Sequence, residues 1–284
     1  MGFKRSKEIV EAYEAGQYWV STFRKVPAIA STRGIWTDLS LAPGNPKPNY
    51  YATAELTSAT LAQQNGIWHG GDVAPKTKHL KGWTIGSMGA ATPMTLLLCD
   101  FLMYYPLIDM DSTDEQFFSN TLSLPRYSDG LGVEMYLVAT NPYLGGATFY
   151  VNYTNSDGVP GRTTNLAFSN SVTTIGSVVH SNVAAGLNYG TGPFLSLGKG
   201  DKGVRSVQSI AFQSPNGGLA SLVLVRPLAT ILVRETTAHT EHDYFLNKLT
   251  APQIHDGAYL NFLCSPNGSI AAVPVVGQLE VLWN

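Results

Sequence analysis

Two apolar runs flank a turn in Val207-Gln208-Ser209-Ile210-Ala211-Phe212-Gln213-Ser214-Pro215-Asn216-Gly217-Gly218-Leu219-Ala220-Ser221-Leu222-Val223-Leu224-Val225. Asn-Gly pairs supply the positive φ that tight turns require, and β-branched residues on both sides favour extended backbone. The pattern predicts a β-hairpin, with residues 207–212 paired to residues 219–225. Alternation puts Ile210, Phe212, Leu222 and Leu224 on one face, and Val133, Met135 and Leu137 follow the same rule upstream. All seven are expected in the core.

Moving outward, runs rich in Val, Ile, Leu, Phe and Tyr recur between turn residues. They predict strands over 95–103, 132–139, 148–153, 206–212, 220–225, 230–234, 258–263 and 278–282. Further turns stand at Asn155-Ser156-Asp157-Gly158 and Ser265-Pro266-Asn267-Gly268. Many short strands without long helices between them predict an all-β fold, a jelly-roll-type β-sandwich. The start of the chain reads differently. Residues 7–23 carry Ile9, Val10, Tyr13 and Val20 at rough helical spacing behind Ser6 as a cap, with Gly16 as a weak point. Pro43-Gly44-Asn45-Pro46-Lys47-Pro48 predicts an extended connector, and residues 49–93 show little periodicity. The expected organisation is an N-terminal helical and extended arm over residues 1–60, followed by the sandwich over residues 61–284.

Of the 284 residues, 44% are hydrophobic and only 13% charged, about half the usual share of roughly 25%. Little of such a surface is built to repel neighbours, which suits a chain covered by other subunits. The net charge of −2 and the lack of a basic stripe argue against nucleic acid as the main partner. The longest apolar run, residues 94–108, is interrupted by Asp100 and Pro106 and is too short to span a bilayer, so no membrane association is expected. Cys99 and Cys264 sit in apolar runs and predict buried thiols.

Four stretches resemble structural proteins encoded by tailed bacteriophages. They are Ala42-Pro43-Gly44-Asn45-Pro46-Lys47-Pro48-Asn49-Tyr50-Tyr51, Leu124-Pro125-Arg126-Tyr127-Ser128-Asp129-Gly130, Gly203-Val204-Arg205-Ser206 and His255-Asp256-Gly257-Ala258-Tyr259-Leu260-Asn261-Phe262. None is a motif with known chemistry. The resemblance implies a virion component, a capsid or capsid-decoration protein present in many copies on the head. Its partners would be other copies of itself and other phage structural proteins. A tail or baseplate protein and a carbohydrate-binding β-sandwich module are the alternatives.

Catalytic patterns are fragmentary. Asp109-Met110-Asp111-Ser112-Thr113 after an apolar run is similar to the nucleophile motif of haloacid-dehalogenase phosphatases, but that chemistry needs an α/β sheet. As a calcium loop the stretch places Asp114 and Asn120 where glycine and glutamate belong. His239-Thr240-Glu241-His242-Asp243 lacks metalloprotease spacing and reads as a polar loop. Gly192 to Gly200 has one residue too many for a phosphate loop. Trp68, Trp83, Tyr104 and Tyr105 are candidates for a sugar platform or for packing. No catalytic residue, cofactor or metal is expected. The candidate contact residues are the arm aromatics Tyr18, Trp19, Trp36, Tyr50 and Tyr51, because large rings offer contact area at low entropic cost.

Overall fold

The computed structural model describes residues 3, 5–28, 30–89, 91–171, 174–181, 192–236, 238–247 and 250–284. Its main strands are β1 (Tyr18–Lys25), β2 (Lys78–Ser87), β3 (Met94–Asp109), β4 (Glu134–Ala139) and β5 (Thr148–Asn155). They continue with β6 (Val204–Phe212), β7 (Leu219–Val233), β8 (Thr240–Asp243), β9 (Tyr259–Pro266) and β10 (Val275–Trp283). Helix α1 (Ser6–Glu14) precedes them. The chain is all-β, and its antiparallel sheets stack as a β-sandwich of jelly-roll type.

Two long strands organise the sandwich. β3 and β7, 16 and 15 residues long, pair from Leu219↔Asp109 to Val233↔Met94. They form the middle of a shared sheet ordered Thr37–Asp38, β9, β3, β7, β4. A register shift between Phe101 and Met103 inserts Leu102 as an extra residue. One inserted residue reverses the alternation. Leu96 and Leu98 before it, and Met103 and Tyr105 after it, therefore lie on the same face.

Two other sheets cover that face side by side. A six-stranded cover, ordered β8, β2, β10, β1 and Gly44–Asn45 with Gln253–Ile254 also paired to β2, buries Phe23, Trp83, Ile85 and Leu279 against Leu96, Leu98 and Ile231. A five-stranded cover built on β5 and β6 buries Phe149, Val151, Ile210 and Phe212 against Met103, Tyr105, Leu222 and Leu224. The opposite face, with Cys99, Phe101 and Tyr104, is closed by less regular chain through Tyr51, Val178 and the half-buried Trp36. At about 1.5–3 kcal/mol per large apolar side chain removed from water, these three clusters supply the main stabilising term.

All seven expected core residues, Val133, Met135, Leu137, Ile210, Phe212, Leu222 and Leu224, lie in one buried cluster. The hairpin between residues 207–212 and 219–225 does not form. β6 pairs with β5 and with Gln116–Phe117, whereas β7 pairs with β3 and β4. The turn is an arch from the five-stranded cover into the shared sheet. Its cause is Asn216, which is fully buried. Its N–H donates to the Met110 carbonyl, and its side-chain oxygen accepts from the Gly145 N–H at 2.7 Å. Gly218 (φ 75°) then passes so close to Pro142 that a Cβ would lie 2.2 Å from its carbonyl oxygen.

Nor is residues 1–60 a separate arm. The helix stops at Glu14, short of the expected residue 23, and Gly16 turns the chain with φ 66°. Tyr18–Lys25 then pairs with β10 over all eight residues. The aromatic and β-branched run Tyr18 to Phe23 suits a strand. Phe23 enters the core, and the buried Lys25 ammonium donates to the carbonyls of Ala42 and Pro46 at 2.8 Å each. Within the expected connector, Gly44–Asn45 adds a short edge strand to β1. The weakly periodic residues 49–93 contain β2, whose Leu80, Trp83 and Ile85 face inward. The two strands expected over 220–225 and 230–234 are one strand that continues through a bulge near Leu228.

Candidate interaction surface

The five candidate contact residues separate into three environments. Tyr18, Trp19 and Tyr50 are exposed, at 43%, 42% and 65%. Trp36 is half-buried against the shared sheet, and its backbone carbonyl accepts from the Val178 N–H. Tyr51 is a correction: it is 1% exposed and belongs to the core. Its hydroxyl donates to Asp38 at 2.6 Å, beside the Tyr136 hydroxyl, which donates to the same carboxylate oxygen at 2.7 Å. The backbone N–H of Ser40 satisfies the other oxygen at 2.7 Å. Burial raises the Asp38 carboxyl above its ordinary value, while these donors pull it back down. The group is a fixed polar node inside the fold.

Trp68 joins Tyr18 and Trp19 on the surface and was not among the expected contact residues. It is 42% exposed. Trp19 lies over Gly70, where a Cβ would stand 3.0 Å from the Trp19 Cβ, and the Trp68 ring lies beside Gly71. The Ser21 hydroxyl donates to the Trp68 carbonyl, tying β1 to this loop. Tyr13 of α1 packs on Tyr18 with ring centroids 5.2 Å apart and donates to Glu280 of β10. Tyr13 and Tyr18 thus make an aromatic pair on one face of β1, while Trp19, whose side chain takes the other face, and Trp68 flank Gly70 and Gly71.

A buried latch fixes that loop from beneath. The Lys78 ammonium, with no exposed side-chain surface, lies 3.0 Å from His69 Nδ1, donates to the Gly71 carbonyl and stands 3.8 Å from Asp256. His69 Nε2 lies 3.0 Å from the Ala258 carbonyl oxygen. This network assigns the proton to Nε2 and leaves Nδ1 as the acceptor for Lys78. Burial, and then the Lys78 charge, push His69 down to about 4, so the ring is neutral near pH 7. Asp256 also accepts from the N–H groups of Val73 and Ala74 at 3.1 Å each. The carboxylate therefore clamps the far end of the loop that carries Trp68.

The chemical motifs resolve into structural roles. Asp109 accepts from the Asp111 N–H, and Asp111 accepts from the Gly217 N–H, so the acidic stretch caps turns at the end of antiparallel β3. The α/β sheet that phosphatase chemistry needs is absent among the described residues. His239 to Asp243 is a strand and not a loop over Thr240–Asp243, where it pairs with β2. The Gly198 N–H donates to the Tyr153 hydroxyl, and Asp201 binds Arg162 and Asn155, so this loop is fastened to β5. Among the described residues no group of three or more metal-ligating side chains converges. Of the four candidate platform rings, Trp83, Tyr104 and Tyr105 are buried and Trp68 alone is exposed.

No protein-family model matches the chain, and no curated protein does. Among solved structures, the VP2 subviral particle of infectious bursal disease virus is similar over 94% of this chain and 81% of that one, at 10% identity and a TM-score of 0.16. A mutant VP2 of the same virus, forming T=1 particles, covers 94% and 78% at the same identity and score. A likeness this slight carries no argument for function.

Proposed function

We propose that this chain is a non-enzymatic structural protein of a tailed-phage particle, assembling in many copies on the head through protein–protein contacts. The observation that carries the reading is the exposure of three aromatic rings on anchored backbone. Tyr18, Trp19 and Trp68 leave large rings in solvent on backbone fixed by β10, by Ser21 and by the Lys78 latch. Rigid, half-exposed tyrosine and tryptophan are what interface hot spots are made of, because little side-chain entropy is left to lose on contact. The 13% charged content fits a surface intended to be covered. The phage assignment itself rests on the sequence stretches around Tyr50, Tyr127 and Tyr259. The expected partners are further copies of the chain and other virion proteins, assembled in the host cytoplasm.

The test is electron microscopy of the parent particle carrying the labelled protein, with wild type beside a Trp19→Ala/Trp68→Ala double variant. The reading expects regular label on the head, and loss of label with the folded double variant. Label on the tail would move the protein to the alternative site. A particle without label, or full occupancy by the double variant, overturns the proposal.

A further inference from the structure

The shared sheet leaves one strand edge open. β4 pairs with β7 only as far as Val225, so from Arg226 onward β7 has β3 on one side and no strand on the other among the described residues. A cavity of about 850 Å³ lies along that edge. Its volume falls within the roughly 300–1,000 Å³ of small-molecule sites. Pro227 and Leu228 of the strand and Pro252 opposite give it apolar walls. Asn247, Thr250 and Gln253 supply amide and hydroxyl groups, and Arg226 and His255 stand beside Tyr127.

Arg226 gives the cavity its selectivity. Its Nη1 donates to the Leu131 carbonyl at 2.7 Å, and the guanidinium lies 5.4 Å from the centre of the Tyr127 ring. These contacts fix the side chain and leave the Nε–Nη2 edge unused, the edge whose two parallel N–H groups match a carboxylate. The other well-anchored arginines are already matched: Arg126 holds Asp100 at 2.6 Å and Arg162 holds Asp201 at 2.9 Å. No carboxylate forms an ion pair with Arg226 among the described residues. Glu134 attracts it only at longer range, and burial raises Glu134 to about 7, which weakens that compensation near neutrality.

We propose that this cavity binds a carboxylate-bearing sugar. Its acid group pairs with the free edge of Arg226. Its hydroxyls bond to Asn247, Thr250 and Gln253 and to open carbonyls of β7, and its C–H face rests on Pro227, Leu228 and Pro252. An added peptide strand fits less well, because Pro227 offers no N–H and the bulge at Leu228 breaks the register. A purely apolar ligand would leave the amide rim unpaired. The site does not depend on the assembly reading above.

The experiment is isothermal titration of the full chain with glucuronate, galacturonate and N-acetylneuraminate, each beside its carboxyl-reduced counterpart. At least one acid should bind, and its reduced form should bind at least about tenfold more weakly, the value of one charge-assisted hydrogen-bond pair. Arg226→Gln should remove that preference. Because Arg226 also props Tyr127 and Leu131, Gln253→Ala provides a second test: its side chain is exposed and its strand pairing is made by backbone. Gln253→Ala should weaken binding several-fold with the fold intact. No binding of any of the three acids at millimolar concentration, equal binding of acid and reduced forms, or unchanged binding by both variants overturns the proposal.

Discussion

Phe23 tests whether the start of the chain is part of the sandwich or an appendage to it. The ring is 3% exposed, 4.6 Å from the Phe262 ring, and its tip occupies the space that a Cβ on Gly277 would need. Phe23→Ala removes this ring from between β9 and β10 and leaves a cavity that the paired backbone of β1 cannot close. Losses of this kind run to about 3–5 kcal/mol. For chains of 150–250 residues each kcal/mol moves the melting temperature by roughly 2–4 °C, so a fall on the order of 10 °C is expected. Thr22→Ala is the internal control, since Thr22 is exposed on the same strand and should change stability by no more than about 0.5 kcal/mol. Both are read by thermal unfolding followed by near-ultraviolet circular dichroism. If Phe23→Ala costs no more than Thr22→Ala, β1 is not docked and its integration into the core is wrong.

His69 makes stability depend on acid. Its folded value of about 4 lies below the 6.5 of the unfolded chain, so its contribution is full above pH 6.5 and is lost as pH falls toward 4. The span corresponds to about 3 kcal/mol, and His69→Gln should flatten that part of the urea-midpoint profile; an unchanged profile would falsify the latch. Asn216→Ala should cost about 1–3 kcal/mol by leaving the Gly145 N–H unpaired, with faster hydrogen exchange at Gly145 as its signature. Tyr136→Phe removes one donor from Asp38 and should cost about 1–2 kcal/mol in urea unfolding, whereas Tyr50→Phe, on an exposed ring, should cost nothing measurable.

The alternation of Val133, Met135, Leu137, Ile210, Phe212, Leu222 and Leu224 was readable because a strand's side chains must take opposite faces whatever the strand pairs with. For the same reason the pairing itself was not readable. A hairpin and an arch bury the same residues, and what separates them is the reach of Asn216 to Met110 and Gly145, distant in sequence. β1 was hidden because Val20 continues the helical spacing of Ile9, Val10 and Tyr13; Gly16, poised to take a left-handed conformation, was the signal for a stop. Gly82 and Gly86 broke the pattern of β2, yet they are small because Glu280 and the His239 ring lie over them. Among the aromatics, composition could name rings but not their environment. Tyr51 and Tyr50 are adjacent in sequence, and the carboxylate of Asp38 draws one inward. Trp68 reached the surface through a loop whose anchors, His69, Lys78 and Asp256, are brought together only by folding.

The register of β10 carries a consequence for how the protein is made. β10 lies between β1 and β2, which do not pair with each other. When a ribosome has produced Lys25, roughly 250 further residues must follow before Val275 begins the strand that fits between them. At 5–20 residues per second this is a wait of about 12–50 s. Once β2 has been made, it and β1 each lack the neighbour they share, and Phe23 and Trp83 lack part of their cover. β1 gains its full-length partner only when β10 is made, so the nascent chain has to keep two open edges from meeting the wrong partner until Val275–Trp283 has emerged.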